Sequence, residues 1–178
     1  MTARRVLGTS MLWFERRADG TPLPPGRWRR DCLATVGTHD VPPVAAFLTG
    51  EHVALRSRLG LLAGSPAAER QRAAAALSAW QDALAGQGLL PAGAAPGPDE
   101  FTRALYGYLA RTPAVLIGVS LADAVGERRP QNLPGTTDQY PNWRVPLCDG
   151  EGRAVLVEDL ARRPAVRELA GAVSRDRR

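Results

Sequence analysis

Apolar positions along this chain change spacing several times, and the changes divide it into alternating short strands and helices. Val6 to Phe14 is largely apolar, punctuated by Gly8, and gives way to Glu15-Arg16-Arg17-Ala18-Asp19-Gly20. It reads as a strand and its exit loop, with Asp-Gly marking a turn. Pro22, Pro24, Pro25 and Gly26 keep the next residues irregular, and Arg27 to Asp31 reads as the start of a short polar helix. Cys32 to Gly37 follows as a second strand, its apolar run matching burial on both faces. From Val44 to Leu62 the positions Phe47, Leu48, His52, Leu55, Leu59 and Leu62 approximate helical spacing, interrupted at Thr49-Gly50, which predicts two short helices.

Ser65-Pro66 supplies an N-cap followed by proline at the first helical position. Ala67 to Leu84 then reads as an alanine-rich helix carrying Leu77, Trp80 and Leu84 on one face. Gly86 to Pro98 is rich in Gly, Ala and Pro without periodicity and is expected to be a flexible surface loop. Asp99 to Arg111 is amphipathic through Phe101, Leu105, Tyr108 and Leu109. Ala114 to Leu121, AVLIGVSL, is the strongest buried-strand signal in the chain, and Glu158 to Val173 reads as a closing helix before an Arg-rich tail. Strands alternating with helices predict a parallel α/β architecture in one domain spanning residues 1–178, without internal repeats.

Composition narrows the class. Of 178 residues, 44% are hydrophobic, enough for a core. The net charge of +5 raises the question of a nucleic-acid or membrane partner, but a clustered basic face would be its footprint. All 23 basic residues are arginine, scattered as pairs such as Arg16-Arg17, Arg29-Arg30 and Arg128-Arg129. That pattern fits a GC-rich coding bias and a solvated surface, so no nucleic-acid partner is expected. Cys32 and Cys148 show neither CxxC spacing nor a nearby His pair, which indicates no disulfide framework and no metal site. No run approaches the ~18 apolar residues of a membrane span, and the N-terminus lacks a signal-peptide h-region. A cytoplasmic location with reduced thiols is the expectation.

Two loops carry the candidate chemistry. GTHD, Gly37 to Asp40, follows the second strand, so His39 and Asp40 fall at its C-terminal end, where parallel β/α enzymes place working side chains. Asp40 fits equally well as a cap for the next helix. The segment PQNLPGTTDQYPNWRVPL, Pro130 to Leu147, combines turn formers, amides and aromatics. Pro134-Gly135 forms a turn in which glycine tolerates positive φ. Asn132 there either stabilises the turn or presents its amide to a ligand. Trp143 reads as a buried indole anchoring the loop, and Trp13, beside Glu15 at the end of the first strand, as packing. Asp123, just after the third strand, is placed where it can face the same site. His52, Trp28 and Trp80 read as a helix-face histidine and core or rim aromatics.

GTHD, NLPGT at Asn132 to Thr136, YPNWR at Tyr140 to Arg144 and LGTSMLWFE at Leu7 to Glu15 together resemble the C-terminal part of glycoside hydrolase family 77, the 4-α-glucanotransferases or amylomaltases. Val41-Pro42-Pro43 replaces the Asn-Asp that commonly follows GTHD in that family, a form found in one of its subgroups. The resemblance implies about the last three β/α units of a (β/α)8 barrel, whose full length is roughly 250 residues. It implies Asp40 as a transition-state stabiliser in the donor subsite, with His39, Asn132, Pro134 and Gly135 at the substrate, and it places Trp13 near the acceptor side as a candidate sugar platform. A carboxylate holding ring hydroxyls favours the oxocarbenium-like sugar by several kcal/mol. The nucleophile and acid/base of this retaining chemistry come from the fourth and fifth barrel strands, whose motifs nothing in this chain resembles. Implied substrates are α-1,4-glucans and maltooligosaccharides, acted on without cofactor or metal. The alternative is a non-catalytic, glucan-binding or associating module, since an open barrel segment exposes a strand edge.

Overall fold

The computed structural model describes residues 6–175. Arg4, Arg5 and the end of the Arg-rich tail lie outside them. Three strands form one parallel sheet in the order β1-β2-β3, with β1 at Gly8–Met11, β2 at Cys32–Thr35 and β3 at Leu116–Gly118. Gly8 pairs with Cys32 and Leu33 with Leu116, so β2 lies in the middle. Between β2 and β3 run α1 (Val44–Thr49), α2 (Glu51–Arg58), α3 (Pro66–Gly86) and α4 (Pro98–Ala110). After β3 come α5 (Leu121–Val125) and α6 (Pro164–Arg175). The crossover from β2 to β3 is helical, as expected of a β/α unit, whereas β1 and β2 are joined by a segment holding 3-10 turns at Leu12–Phe14 and Pro25–Arg27.

Local sequence explains most boundaries. Gly50 adopts φ 74 between α1 and α2, a left-handed conformation that stops one helix and lets the next begin at a new angle. The Ser65 side chain accepts from Ala68 N at 3.2 Å, with Pro66 at the first position of α3. Helix α4 is the keystone of the core: Phe101, Leu105, Tyr106, Tyr108 and Leu109 are all buried, packed with Leu12, Trp80 and Leu84.

Four expectations need correction. Arg27 to Asp31 starts no helix, the local helical turn being the 3-10 segment Pro25–Arg27 that ends there. The first apolar run forms only the strand Gly8–Met11 and then a 3-10 turn, Leu12–Phe14, which drops Leu12 into the core. The closing helix is two elements: a 3-10 segment, Val157–Arg162, and α6, because Pro164 restarts the helix. The AVLIGVSL run is the least buried strand, with Leu116 and Leu121 each 50% exposed and Val115 and Val119 also open to solvent. Its apolar run suits a strand covered on both faces, yet here β3 pairs only with β2. The segment between α3 and α4 contains no helix or strand, and its Leu90 is buried in the core.

Candidate active site

The C-terminal end of β2 is shaped by close approach. A Cβ on Gly37 would lie 2.6 Å from the Val41 side chain, so only glycine lets the chain turn back there. The turn is closed by Val41 N donating to Thr38 O at 3.3 Å and Asp40 N donating to Thr38 Oγ1 at 3.3 Å. His39 and Asp40 occupy its tip, with His39 Nε2 at 3.4 Å from Asp40 Oδ2 and both side chains about half exposed. Asp40 does not cap the following helix. The Val44 amide at the start of α1 donates instead to Asp123 Oδ1 at 2.8 Å.

Asp123 therefore has a structural position rather than a substrate-facing one. Its second oxygen accepts from the Tyr106 hydroxyl at 2.8 Å, and that hydroxyl accepts from Ser120 N. Burial pushes the Asp123 carboxyl above the usual range, opposed by the bonds from Val44 and Tyr106, and burial likewise raises Tyr106. This linkage ties the starts of α1 and α5 to α4, holding the ends of β2 and β3 in register.

The long loop after α5 reaches across to the same place. Asn132 Nδ2 donates to Asp40 Oδ1 at 2.6 Å, and Asn132 N donates to His39 O at 3.2 Å. Residues from the two sequence motifs thus meet directly. Leu133 to Thr136 forms a turn with Thr136 N donating to Leu133 O at 3.2 Å, and Gly135 adopts φ 89 within it. Pro134 and Gly135 accordingly shape the turn, as their types predict.

Four residues whose contacts were not legible from the motifs hold this loop. Asn142 Oδ1 accepts from Leu133 N at 2.8 Å, while its amide donates to Thr136 Oγ1 at 2.8 Å. Tyr140 donates its hydroxyl to Pro130 O, and Gln131 Nε2 donates to Val145 O. At the base, Glu127 is 2% exposed and accepts from the backbone of Arg128, Arg129 and Cys148 and from the Arg129 guanidinium. Burial pushes its carboxyl up, but Arg129 and the three amides outweigh burial and hold it below the usual range. Glycine turns and amide motifs advertise themselves in sequence; a lone Glu in GERR does not.

Trp143 departs from the sequence expectation. It is 63% exposed, not buried, and its ring sits 4.6 Å from the His39 ring. Trp13 packs on Phe47 at 4.4 Å and edge-on against Trp80 at 5.9 Å. Trp28 and Trp80 are buried and His52 stacks on Phe47, in line with their reading as packing residues.

A cavity of about 530 Å³ opens beside His39, between the ends of β2 and β3, with Gly37, Pro42, Val119 and Leu121 in its wall. A cavity of about 580 Å³ at the start of α4 is charge-balanced, its Arg103, Arg128 and Arg163 being paired with Glu168, Glu51 and Asp149. Among the described residues no group of three or more His, Cys, Asp and Glu side chains is placed to hold a metal ion. No helix among them is long and apolar enough to cross a membrane.

Comparison with known proteins agrees with this geometry. Residues 1–149 match the family model described as glycoside hydrolase 77, 4-alpha-glucanotransferase. The chain is 52% identical over 174 residues to the 4-alpha-glucanotransferase of Mycobacterium tuberculosis, covering 96% of this chain and 24% of that protein. It is 31% identical over 146 residues to the Haemophilus influenzae 4-alpha-glucanotransferase, covering 78% of this chain and 21% of that protein. The crystal structure of amylomaltase from Corynebacterium glutamicum superposes with a TM-score of 0.90 at 42% identity, over 95% of this chain and 25% of that one. The 178 residues thus span about a quarter of the length of these relatives, and their three-stranded parallel sheet corresponds to part of a barrel. By the extent of that match, the chain belongs to glycoside hydrolase family 77, the 4-alpha-glucanotransferases.

Proposed function

We propose that this chain contributes the donor-side part of a 4-α-glucanotransferase site, which passes an α-1,4-glucan segment to a glucose or maltooligosaccharide acceptor with retention. The supporting observation is the 2.6 Å bond between Asn132 and Asp40, 92 residues apart in sequence yet joined at the C-terminal end of the sheet. A half-exposed carboxylate flanked by an amide and an imidazole is suited to ring hydroxyls. As the sugar flattens, Asp40 tightens its hold and stabilises the oxocarbenium-like state, while His39 and Asn132 orient the ring. Pro134 and Gly135 act by shaping the turn next to Asn132.

The two principal carboxylates of a retaining mechanism stand about 5 Å apart. Asp123, the candidate for a second carboxylate, is not free to act as one, because it is buried with both oxygens bonded to Val44 and Tyr106. The attack and the proton transfer are therefore assigned to carboxylates outside these residues. Cytoplasmic starch or glycogen metabolism is the setting this reading implies.

A chimera tests the assignment: this chain replaces the matching quarter of the Mycobacterium tuberculosis relative, and maltotriose disproportionation is measured. The expected result is an active chimera whose kcat falls about a hundredfold with Asp40→Asn, while KM changes little. Turnover within about tenfold of the parent chimera would remove Asp40 from the mechanism.

A second reading, association with another chain, draws on the free sheet edges and the exposed Phe14, Leu116, Val119 and Leu121. Sedimentation of the purified chain over a range of concentrations tests it, and a strictly monomeric result would remove it.

A further inference from the structure

We propose that Trp143 is a saccharide-stacking platform, whose indole face carries the glucosyl unit next to the one held by Asp40 and Asn132. The proposal rests on the glucan reading above and names a residue to which that reading gives no role. Within these residues the indole is not packed under its own loop: it is 63% exposed.

The loop holds Trp143 in an unfavourable backbone conformation to keep the ring where it is. Trp143 has φ 63, and among the described residues it is the only non-glycine with positive φ. Bulky residues avoid this region, and such outliers persist only where their surroundings over-determine them. Here the surroundings do so from both sides. Trp143 N donates to Gln131 O at 2.8 Å and Arg144 N to Pro141 O at 3.0 Å, while the Asn142 side chain is bonded to Leu133 and Thr136. The ring itself rests against His39 at 4.6 Å and a tilt of 48°, which fixes it beside the Asp40–Asn132 pair.

The chemistry of the three side chains is complementary to a pyranose. A glucosyl ring has a rim of hydroxyls and faces of C–H groups. Asp40 and Asn132 offer hydrogen bonds to the rim, and an exposed, rigidly held indole offers an electron-rich apolar surface to a face.

The test uses the 178-residue chain labelled with nitrogen-15 and titrated with maltotriose. The Trp143 indole N–H signal is identified by its absence from Trp143→Asn, a variant chosen because asparagine tolerates positive φ. The expected result is that this signal and the Asn132 side-chain amide shift together. Trp143→Asn should weaken maltotriose binding about tenfold with the melting temperature unchanged, and Trp143→Phe should recover most of the affinity. Asn132→Ala, measured in parallel, should also weaken binding. If the Asn132 amide of the parent moves and Asn132→Ala weakens binding while Trp143→Asn does not, the platform is refuted and the glucan reading stands. A Trp143→Asn variant that melts well below the parent, with no rescue by phenylalanine, would show a structural role and overturn the proposal. If no signal moves with sugar, the glucan reading and the platform fall together.

Discussion

Replacing Glu127 by glutamine should loosen the whole loop that carries Asn132 and Trp143, although Glu127 touches neither. Its Oε1 accepts from Arg128 N, Arg129 N and Arg129 Nε, and its Oε2 from Cys148 N at 2.9 Å and the Arg129 guanidinium at 2.8 Å. A glutamine oxygen can keep the first three. Its amide nitrogen then faces two donors at the second position, leaving the buried Cys148 N–H unpaired, which costs about 1–3 kcal/mol. The lost ion pair adds less, about 0.5–1 kcal/mol, because the Arg129 side chain is 46% exposed and screened. The total of about 1.5–4 kcal/mol corresponds to a fall of about 3–16 °C in melting temperature for a chain of this size. Glu127→Ala should cost more, since the Arg128 and Arg129 amides lose their acceptor as well. Calorimetry on both variants checks the size, and hydrogen exchange of the Trp143 amide checks the location. A Glu127→Gln variant melting within about 2 °C of the parent would refute the anchoring argument.

Other consequences follow from the same loop and from charge. Gly135→Val should lower the melting temperature because a β-branched residue is forced to φ 89, whereas Asn132→Ala, at an exposed bond, should chiefly impair sugar binding; equal thermal losses would assign Asn132 a structural role. Stability should fall as pH drops from about 4 to 2. Burial pushes the Asp149 carboxyl up, but bonds from Arg153 and the Glu151 amide outweigh it and hold its pKa at about 2, below the ordinary 3.8, so its stabilisation is present above that window and lost within it. Asp149→Asn should flatten the pH dependence of urea midpoints there. Asp123, raised by burial, has the opposite sign: the folded state gains stability as pH falls toward 3.8, and Asp123→Asn should remove that gain above the Asp149 window. The purified chain, shown to be folded by a cooperative melt, should yield no glucose or longer maltooligosaccharides from maltotriose, because Asp40 cannot both attack the anomeric carbon and protonate the leaving oxygen. Product above a vector-only control would demand a different catalytic pair.

Sequence alone determined the features that depend on local chemistry. The break at Gly50, the Ser65-Pro66 helix start, the Pro134-Gly135 turn and the amphipathic α4 are each written in residues whose backbone preferences act within a few positions. The resemblance carried by the motifs around Asp40 and Asn132 implied that their loops share one site, and the structure joins the two side chains by a hydrogen bond. Tertiary structure decided what long-range contacts decide. Asp123 rather than Asp40 receives the Val44 amide, because α5 and α1 are brought together across the sheet. AVLIGVSL is apolar enough for a covered strand but is exposed, because burial depends on which strands flank it and not on its own composition. Trp143 stands in solvent against His39 for the same reason: hydrophobicity says that an indole seeks a partner surface, and only the path of the backbone, fixed through Gln131, Asn142 and Glu127, says which surface that is.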